Sequence, residues 1–445
     1  MNRTVRWLRN GLALLLLLAL AAGAAWVIVQ SRPRPPQVTQ TSPLPTPTGR
    51  PLQPTPVPSP TPVLAATAAP IPRCSLSAAS VTALPRAPSD AYVFSEPQVV
   101  LTHTAAIRSA SWLPDSQRVL ITRDFPQQPQ EYVDILNVET QEVTPYAERH
   151  AFNAKPVWLN TASAVAYTDL AADQRIVLRL SHGVDVQPEE VVGDLASSHW
   201  AVSPDGRQVA FFSKAMEGQP QIVDRVQGQR WTLPFALPRL SQEQLYALGQ
   251  SGPWQPYRAA WQPTGNRVAF YNNTGFYLAD LTHKQVCEVD LGTKGGQLWA
   301  LNAIWSPNGR YLALRVTGGN SRSADLMILD TVVNQVRKID VGTYVYEVVW
   351  ASDSRHLMAL APVSTQGDRA VGELFAVDIQ TGSVQRALPG WAFLAGGYYL
   401  EGGGLAWSLD GRTVLVLCPV WHETQPLIVE ERLCAIRVST RSQGR

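Results

Sequence analysis

Seven positions along the chain stand three residues ahead of a recurring Trp or its equivalent: Ser109, Lys155, His199, Arg258, Asn302, Glu347 and Gly404. Five of them, Lys155, His199, Arg258, Asn302 and Glu347, are ionisable or amide-bearing. A ring of such groups can hold a carboxylate or a peptide end through charge-assisted hydrogen bonds. A solvated rim holding ordered water would have the same composition. A second stock of candidate side chains is aromatic: Tyr246, Trp254, Tyr257, Trp391, Phe393, Tyr398, Tyr399 and Trp421, with His422 beside them. They lie in segments longer than their counterparts elsewhere in the chain, where rings serve recognition of a partner or simply pack their own loop.

Signatures of catalysis are missing. There is no Gly-x-Ser-x-Gly elbow, no His-Glu-x-x-His pair and no phosphate loop, and His422-Glu423 runs on into Thr-Gln-Pro. No catalytic residue is assigned. The seven histidines are scattered singly and no Cys-x-x-Cys occurs, so neither a metal nor a cofactor is expected.

The elements that position these side chains come from one repeated phrase, a short apolar strand ending in Trp, a polar turn, then Arg and another apolar strand. It reads Trp112-Leu-Pro-Asp-Ser-Gln-Arg, Trp261-Gln-Pro-Thr-Gly-Asn-Arg, Trp305-Ser-Pro-Asn-Gly-Arg, Trp350-Ala-Ser-Asp-Ser-Arg and Trp407-Ser-Leu-Asp-Gly-Arg. Val202-Ser-Pro-Asp-Gly-Arg has Val at the Trp position, and Trp158-Leu-Asn-Thr-Ala-Ser is a degenerate copy. The seven copies are spaced by 46, 44, 59, 44, 45 and 57 residues. A period near 45 with four strand-length segments per unit is that of β-propeller blades. In the turn, Pro presets φ, Asp or Asn bonds its own following backbone, and Gly accepts the left-handed conformation. Helical pattern is nearly absent, Ser241 to Leu248 being the one candidate.

These residues resemble the TolB-like, WD40-like branch of β-propellers, whose blades carry a Trp-Ser-Pro-Asp-Gly-Arg type of turn; the resemblance spans roughly Asp90 to Ser439. It implies an all-β propeller. TolB proper resembles a six-bladed ring behind an α/β domain, whereas seven repeats here follow a proline-rich arm, so the expectation is seven blades with six as the alternative. Binding of the peptidoglycan-associated lipoprotein, a TolB role, is not carried over. Prolyl-oligopeptidase-like enzymes resemble it in blade type, but the chain stops shortly after its last strand, so no hydrolase domain is expected.

Ring closure follows from a deficit. The last unit is one strand short while Val99–His103 precedes the first as an orphan, so residues 95–103 are expected to close the last blade. Inner strands run from one face to the other, which puts every Asp-Gly turn on one face. The long segments Pro234–Pro256, Pro362–Gly372, Pro389–Gly403 and Pro419–Glu431 then gather on the opposite face with the aromatic stock.

Ahead of the repeats, Gly11 to Val29 is an uncharged run of 19 residues. At about 1.5 Å per residue it reaches roughly 28 Å, close to the hydrocarbon thickness of a bilayer. Ala22-Gly23-Ala24 would suit signal cleavage, yet Trp26 to Val29 prolongs the apolar run beyond it. A signal anchor and a cleaved signal with secretion thus both remain. Arg3, Arg6 and Arg9 outnumber Arg32 and Arg34, an asymmetry that sends the rest of the chain out of the cytoplasm. Pro33 to Pro72 holds 14 prolines in 40 residues and reads as a stalk. The expected organisation is a cytoplasmic tip and transmembrane helix at 1–30, a proline-rich linker at 31–73 and a propeller at 74–445.

Four cysteines in an exported chain suggest disulfides. Cys418 and Cys434 flank a hairpin that brings them nearly opposite; Cys74 and Cys287 pair by elimination or stay unpaired. The formal charge of +2 conceals an asymmetry, since residues 1–73 hold seven arginines and no acid, leaving 30 basic against 35 acidic side chains from Cys74 onward. A folded part with net charge −5 has no footprint for nucleic acid. The reading is a membrane-tethered, extracytoplasmic propeller that binds an envelope protein, peptide or ligand on its loop-bearing face. The alternative is a lactonase- or glycosidase-like hydrolase with a site at the channel mouth, dispersed over many blades and so invisible as a motif.

Overall fold

The computed structural model describes residues 71–440 except 73, 75–81, 85–86, 89–91, 104–105, 125–129, 151–154, 217, 242, 244–256, 273–274, 292–297, 319–323, 367–368, 395–402 and 422–427. The expected 1–30 anchor, nearly all of the 31–73 linker and most of the expected helix at Ser241–Leu248 lie outside the described residues. Among those described, no helix is long and apolar enough to cross a membrane.

Each repeat folds as an antiparallel meander. The fifth runs Leu298–Trp305, Tyr311–Gly318, Asp325–Asp330 and Gln335–Ile339, with Ile304 opposite Ala313 and Ile328 opposite Arg337. Its middle strands are buried on both faces, which is why they read as apolar runs instead of alternating. The turn after the Trp closes on itself: the Ser306 hydroxyl donates to Asn308 Oδ1 (2.7 Å) and accepts the Tyr311 N–H (2.9 Å), while Gly309 takes φ +70°. Ser116 and Ser354 hold the same left-handed position at φ 55° and 59°, an unusual demand on a residue with a Cβ.

The first four units form separate four-stranded sheets, and the fifth is a five-stranded sheet. The sixth and seventh units differ from expectation, because they share one eleven-stranded sheet. Five discrete blades are therefore present where seven had been expected. Long strands are the cause: His356–Gln366 and Arg369–Asp378 in the sixth unit, Thr413–Trp421 and Ile428–Thr440 in the seventh, overrun their neighbours. Phe393–Leu394, in the segment read from sequence as a loop insertion, occupies the edge so exposed, pairing with Val371 and Gly372 on one side and Leu417 on the other.

Apolar clusters join each unit to the next. Leu120 and Val133 of the first meet Val165 and Tyr167 of the second; Phe212 of the third meets Trp261 and Phe270 of the fourth; Trp305 sits between fourth and fifth, Trp350 between fifth and sixth. Ile107 and Ala110 of the first unit pack against Leu415 and Leu417 of the seventh, which brings the chain round into a closed all-β propeller. At three seams the repeated Trp also bonds across, whereas the Trp261 and Trp407 indoles bond their own turns at Gly265 O and Gly411 O. Trp305 Nε1 donates to Ala260 O (3.0 Å), Trp350 Nε1 to Ile304 O (2.9 Å) and Trp112 Nε1 to Ala406 O (3.3 Å), in each case to the unit before it round the ring.

The segment before the first unit forms a belt. Cys74 N–H donates to Glu288 O (2.7 Å) in the fourth unit, Thr82–Leu84 lies parallel to Gln335–Ile339 in the fifth, and Ala87–Pro88 is parallel to Ser383–Arg386 in the sixth. Tyr92–Phe94 and Gln98–His103 both pair antiparallel with Ile428–Thr440 in the seventh. Four outer edges are thus covered. Among the described residues the outer strands of the first three units carry no such cover, and they hold Pro145, Glu148, Glu189, Glu190 and Arg230, side chains that discourage strand addition. A disulfide joins Cys74 to Cys287 at the start of the belt, and another joins Cys418 to Cys434. Cys434 pairs in register with Val416, so Cys418 stands two residues along the same face, with 6.0 Å between the two Cα atoms.

Candidate functional site

Of the seven residues that stand three ahead of the repeated Trp, two open their inner strands and Ser109 and Asn302 lie within theirs. Arg258 opens the inner strand Arg258–Trp261 and is buried; Glu347 opens Glu347–Trp350 and is buried too. Asn302 lies in the inner strand of the unit between them, opposite Arg315 on the second strand. Arg315 was not foreseen. It is buried, its Nε donates to Val345 O (3.3 Å), and its guanidinium lies 5.6 Å from the Tyr346 ring centroid. Burial pushes its pKa down to about 10, with Glu347 acting to raise it and Arg258 to lower it further. Arg258, Arg315 and Glu347 therefore sense one another across three consecutive units, in an environment too dry to screen them. Glu347 Oε2 also accepts the Leu405 N–H (3.0 Å), which anchors the carboxylate against the seventh unit.

The rest of the ring has other roles. Ser109 is buried and shares a hydrogen bond with Thr122 (2.8 Å). Gly404 is packed so closely that a Cβ there would come within 2.6 Å of Leu417 Cγ. Lys155 and His199 are half-buried in the second and third units; His199 Nδ1 lies 3.2 Å from the Ser198 hydroxyl, and its N–H donates to Ser197 Oγ (3.3 Å).

The aromatic stock divides. Tyr257 is almost wholly buried and stacks on Phe212 at 4.8 Å between the third and fourth units. Trp391 is 41% exposed and stacks on the fully buried Phe393 at 6.4 Å, so one ring faces solvent with a fixed ring behind it. Trp421 belongs to the strand Thr413–Trp421. Tyr246, Trp254, Tyr398, Tyr399 and His422 lie outside the described residues.

Two further charged constellations escaped the sequence reading. Between the first and second units, Arg149 donates to Glu131 Oε2 (2.8 Å) with both side chains buried, and Asp169 accepts from His150 (2.8 Å) while pairing with Arg179 (3.1 Å). Burial pushes the Arg149 guanidinium down and the Glu131 carboxyl up in spite of their contact, and burial pushes the Tyr167 hydroxyl beside them up to about 12. On the turn face, the Arg of the repeated phrase pairs with an Asp ending the third strand: Arg207 with Asp224 (2.7 Å), Arg310 with Asp330 (2.7 Å), Arg355 with Asp378 (2.6 Å), and more loosely Arg267 with Asp280 (3.5 Å). The same Asp caps the next turn, as when Asp330 Oδ1 accepts the Val332 N–H (3.0 Å). Among the described residues no three of His, Cys, Asp and Glu gather into a metal-binding arrangement.

No family model matches the chain, and no curated protein matches it. Solved structures do. An oligogalacturonate lyase from Vibrio parahaemolyticus superposes with a TM-score of 0.53 at 12% identity, over 78% of this chain and 96% of that one. An oligogalacturonate lyase in complex with manganese gives 0.47 at 12% identity, over 80% and 98%. What the chain shares with the first is the propeller fold. The TolB-like branch, suggested by the turn phrase, has no matching family model behind it.

Proposed function

We propose that the chain is an extracytoplasmic binding propeller, held at a membrane by Gly11–Val29 and recognising an anionic group of an envelope protein, peptide or ligand at the mouth of its channel. The observation that carries this reading is the buried grouping, among the described residues, of the Arg258 and Arg315 guanidiniums with the Glu347 carboxylate over three consecutive units. An anion entering there would meet two guanidiniums held at fixed positions. The half-buried Lys155 adds a positive charge and His199 a hydrogen-bonding ring, and Trp391 supplies an exposed apolar contact on the loop-bearing face. The five discrete blades and the sheet shared by the sixth and seventh repeats close the ring at the seam with the first unit.

A second reading, a propeller enzyme acting on an acidic carbohydrate at the same mouth, draws on the lyase named for the superposed structure. One experiment separates them. Detergent-solubilised full chain is titrated with oligogalacturonate and with acidic peptides, and the mixtures are followed for shortened products. Saturable binding without turnover, weakened about tenfold or more by Arg258→Gln, supports the binding module. Cleavage of the oligosaccharide favours the enzyme, and absence of binding to every probe overturns both. Membrane attachment is checked by fractionation, where the full chain is expected in the membrane pellet and a chain lacking 1–30 outside it.

A further inference from the structure

Of the outer edges that no belt strand covers among the described residues, the third unit's is the least guarded. Its strand Arg230–Thr232 is exposed throughout. In its ladder the Asp224 N–H donates to Gln229 O (2.8 Å) and the Leu233 N–H to Pro220 O (2.9 Å), with Trp231 opposite Ile222. Bonded and non-bonded residues alternate along an antiparallel pair, so Trp231 bonds inward while the N–H and C=O groups of Arg230 and Thr232 face out of the sheet. The first and second edges are guarded by Pro145 and Glu148 and by Glu189 and Glu190. The third has only Arg230, whose guanidinium is turned over the Phe211 ring (5.2 Å).

The belt occupies the equivalent position in the next two units. Thr232 stands opposite Gln221, ahead of the Asp224 that ends the third strand; Glu288 stands likewise opposite Tyr277 ahead of Asp280, and Lys338 opposite Met327 ahead of Asp330. Glu288 donates its N–H to Pro72 O (3.1 Å) and accepts the Cys74 N–H (2.7 Å), and Lys338 is paired in parallel with Ala83. The belt visits its units in ring order, fourth, fifth, sixth and seventh. Traced back from Pro72 it comes to Ile71, whose side chain packs on the apolar cluster shared by the third and fourth units. The chain just ahead of Ile71 thus arrives beside the third unit's edge. Its sequence is also that of a belt strand, since Thr67-Ala68-Ala69-Pro70 matches Thr82-Ala83-Leu84-Pro85, whose first three residues pair with the fifth unit.

We propose that the edge Arg230–Thr232 is the docking surface of Thr67–Ala69, which lies on it as a further parallel strand of the belt, with Ala68 beside Thr232 as Ala83 is beside Lys338. Main-chain hydrogen bonds from the outward groups of Arg230 and Thr232 hold it, and its small side chains fit alongside the exposed Trp231 ring. The belt then covers the third edge as well as the four already described. The first and second edges, which carry the acids and the proline, stay open.

Hydrogen exchange of the detergent-solubilised full chain tests this, read on the peptide that contains Arg230–Thr232. The comparison is with a variant carrying Ala68→Pro and Ala69→Pro, which removes two adjacent N–H donors, one of which must face the edge in any register. The outward amides of Arg230 and Thr232 are expected to exchange about tenfold or more faster in the variant. The inner strand pair Gln208–Phe212 and Pro220–Asp224 should be unchanged, which shows that the unit still folds. A second pair of variants needs no loss of structure: Ala68→Cys with Thr232→Cys is expected to form a disulfide on non-reducing peptide mapping, and Ala68→Cys with Glu190→Cys, on the second unit's edge, is not. Equal exchange in the full chain and the proline variant overturns the proposal, as does a bridge to residue 190 in preference to 232. Protection of Arg230–Thr232 that appears only as protein concentration rises assigns the edge to a second copy of the chain and overturns it too.

Discussion

At the scale of single residues, the Asp that ends the third strand does more for the fold than its turn position suggests. Asp330 answers two guanidinium nitrogens of Arg310 and caps the N–H groups of Val332 and Val333; Asp378 does the same for Arg355, Gln380 and Thr381. Burial alone would raise the pKa of either carboxyl, but the guanidinium and the N–H donors outweigh it and hold both below the ordinary value. A carboxyl depressed in the folded state stabilises fully above its unfolded pKa of about 4, and that contribution is lost as pH falls through the folded value. Asp330→Ala is accordingly expected to cost about 1–3 kcal/mol at neutral pH, seen in denaturant melts, with a difference that shrinks on acidification below pH 4. Among the buried charges of the fourth, fifth and sixth units the expectation is one of coupling. Arg315→Met leaves Glu347 buried with less compensation and should cost up to about 3–5 kcal/mol, whereas adding Glu347→Gln should recover a large part of it, a non-additivity that a double-mutant cycle measures. Arg258 and Glu347 could be named from sequence because they hold a fixed offset from the repeated Trp. Arg315 could not, since it reaches the same place from the second strand, where no offset had been considered. Asp224, Asp280, Asp330 and Asp378, with Asn137 in the first unit, recur at the end of the third strand and were open to the same counting.

At the scale of elements, the strands that were legible are those with apolar runs bounded by turn residues. The belt strands Thr82–Leu84, Ala87–Pro88 and Tyr92–Phe94 are two or three residues long, too short to show a period, and each gains its place by pairing with an edge that is remote in sequence. Phe393–Leu394 was hidden for the same reason. The disulfides can be ranked by what they restrain. Cys74–Cys287 spans 213 residues of sequence and fixes the free end of the belt, while Cys418–Cys434 spans 16 within a hairpin already closed by its ladder. Loss of the long bridge through Cys74→Ser and Cys287→Ser together should cost about 2–5 kcal/mol, and loss of the short one less. Thermal melts of the two double variants under non-reducing conditions give the order, and hydrogen exchange should locate the first loosening at residues 82–94 in the former.

At the scale of the whole molecule, the sequence foretold the ring through the seam between its two ends, but not the way the belt overlaps it. The chain follows the outer edges of the fourth, fifth, sixth and seventh units before it begins the first, so the ring is traversed more than once. That overlap fixes an order of events in time. Residues 72–103 leave the ribosome before any of the strands they dock on exist, and the edge that receives Gln98–His103 is the last strand made, Ile428–Thr440. Gln98–His103 is made early and placed last, waiting for its partner strand through most of synthesis. Contacts of such long sequence separation form late, and belt docking is expected among the last steps of refolding. Pulsed hydrogen exchange during refolding is expected to show protection rising in the middle units first and in Gln98–His103 together with Leu433–Ala435 last; simultaneous protection of both regions at the earliest time would exclude that sequence.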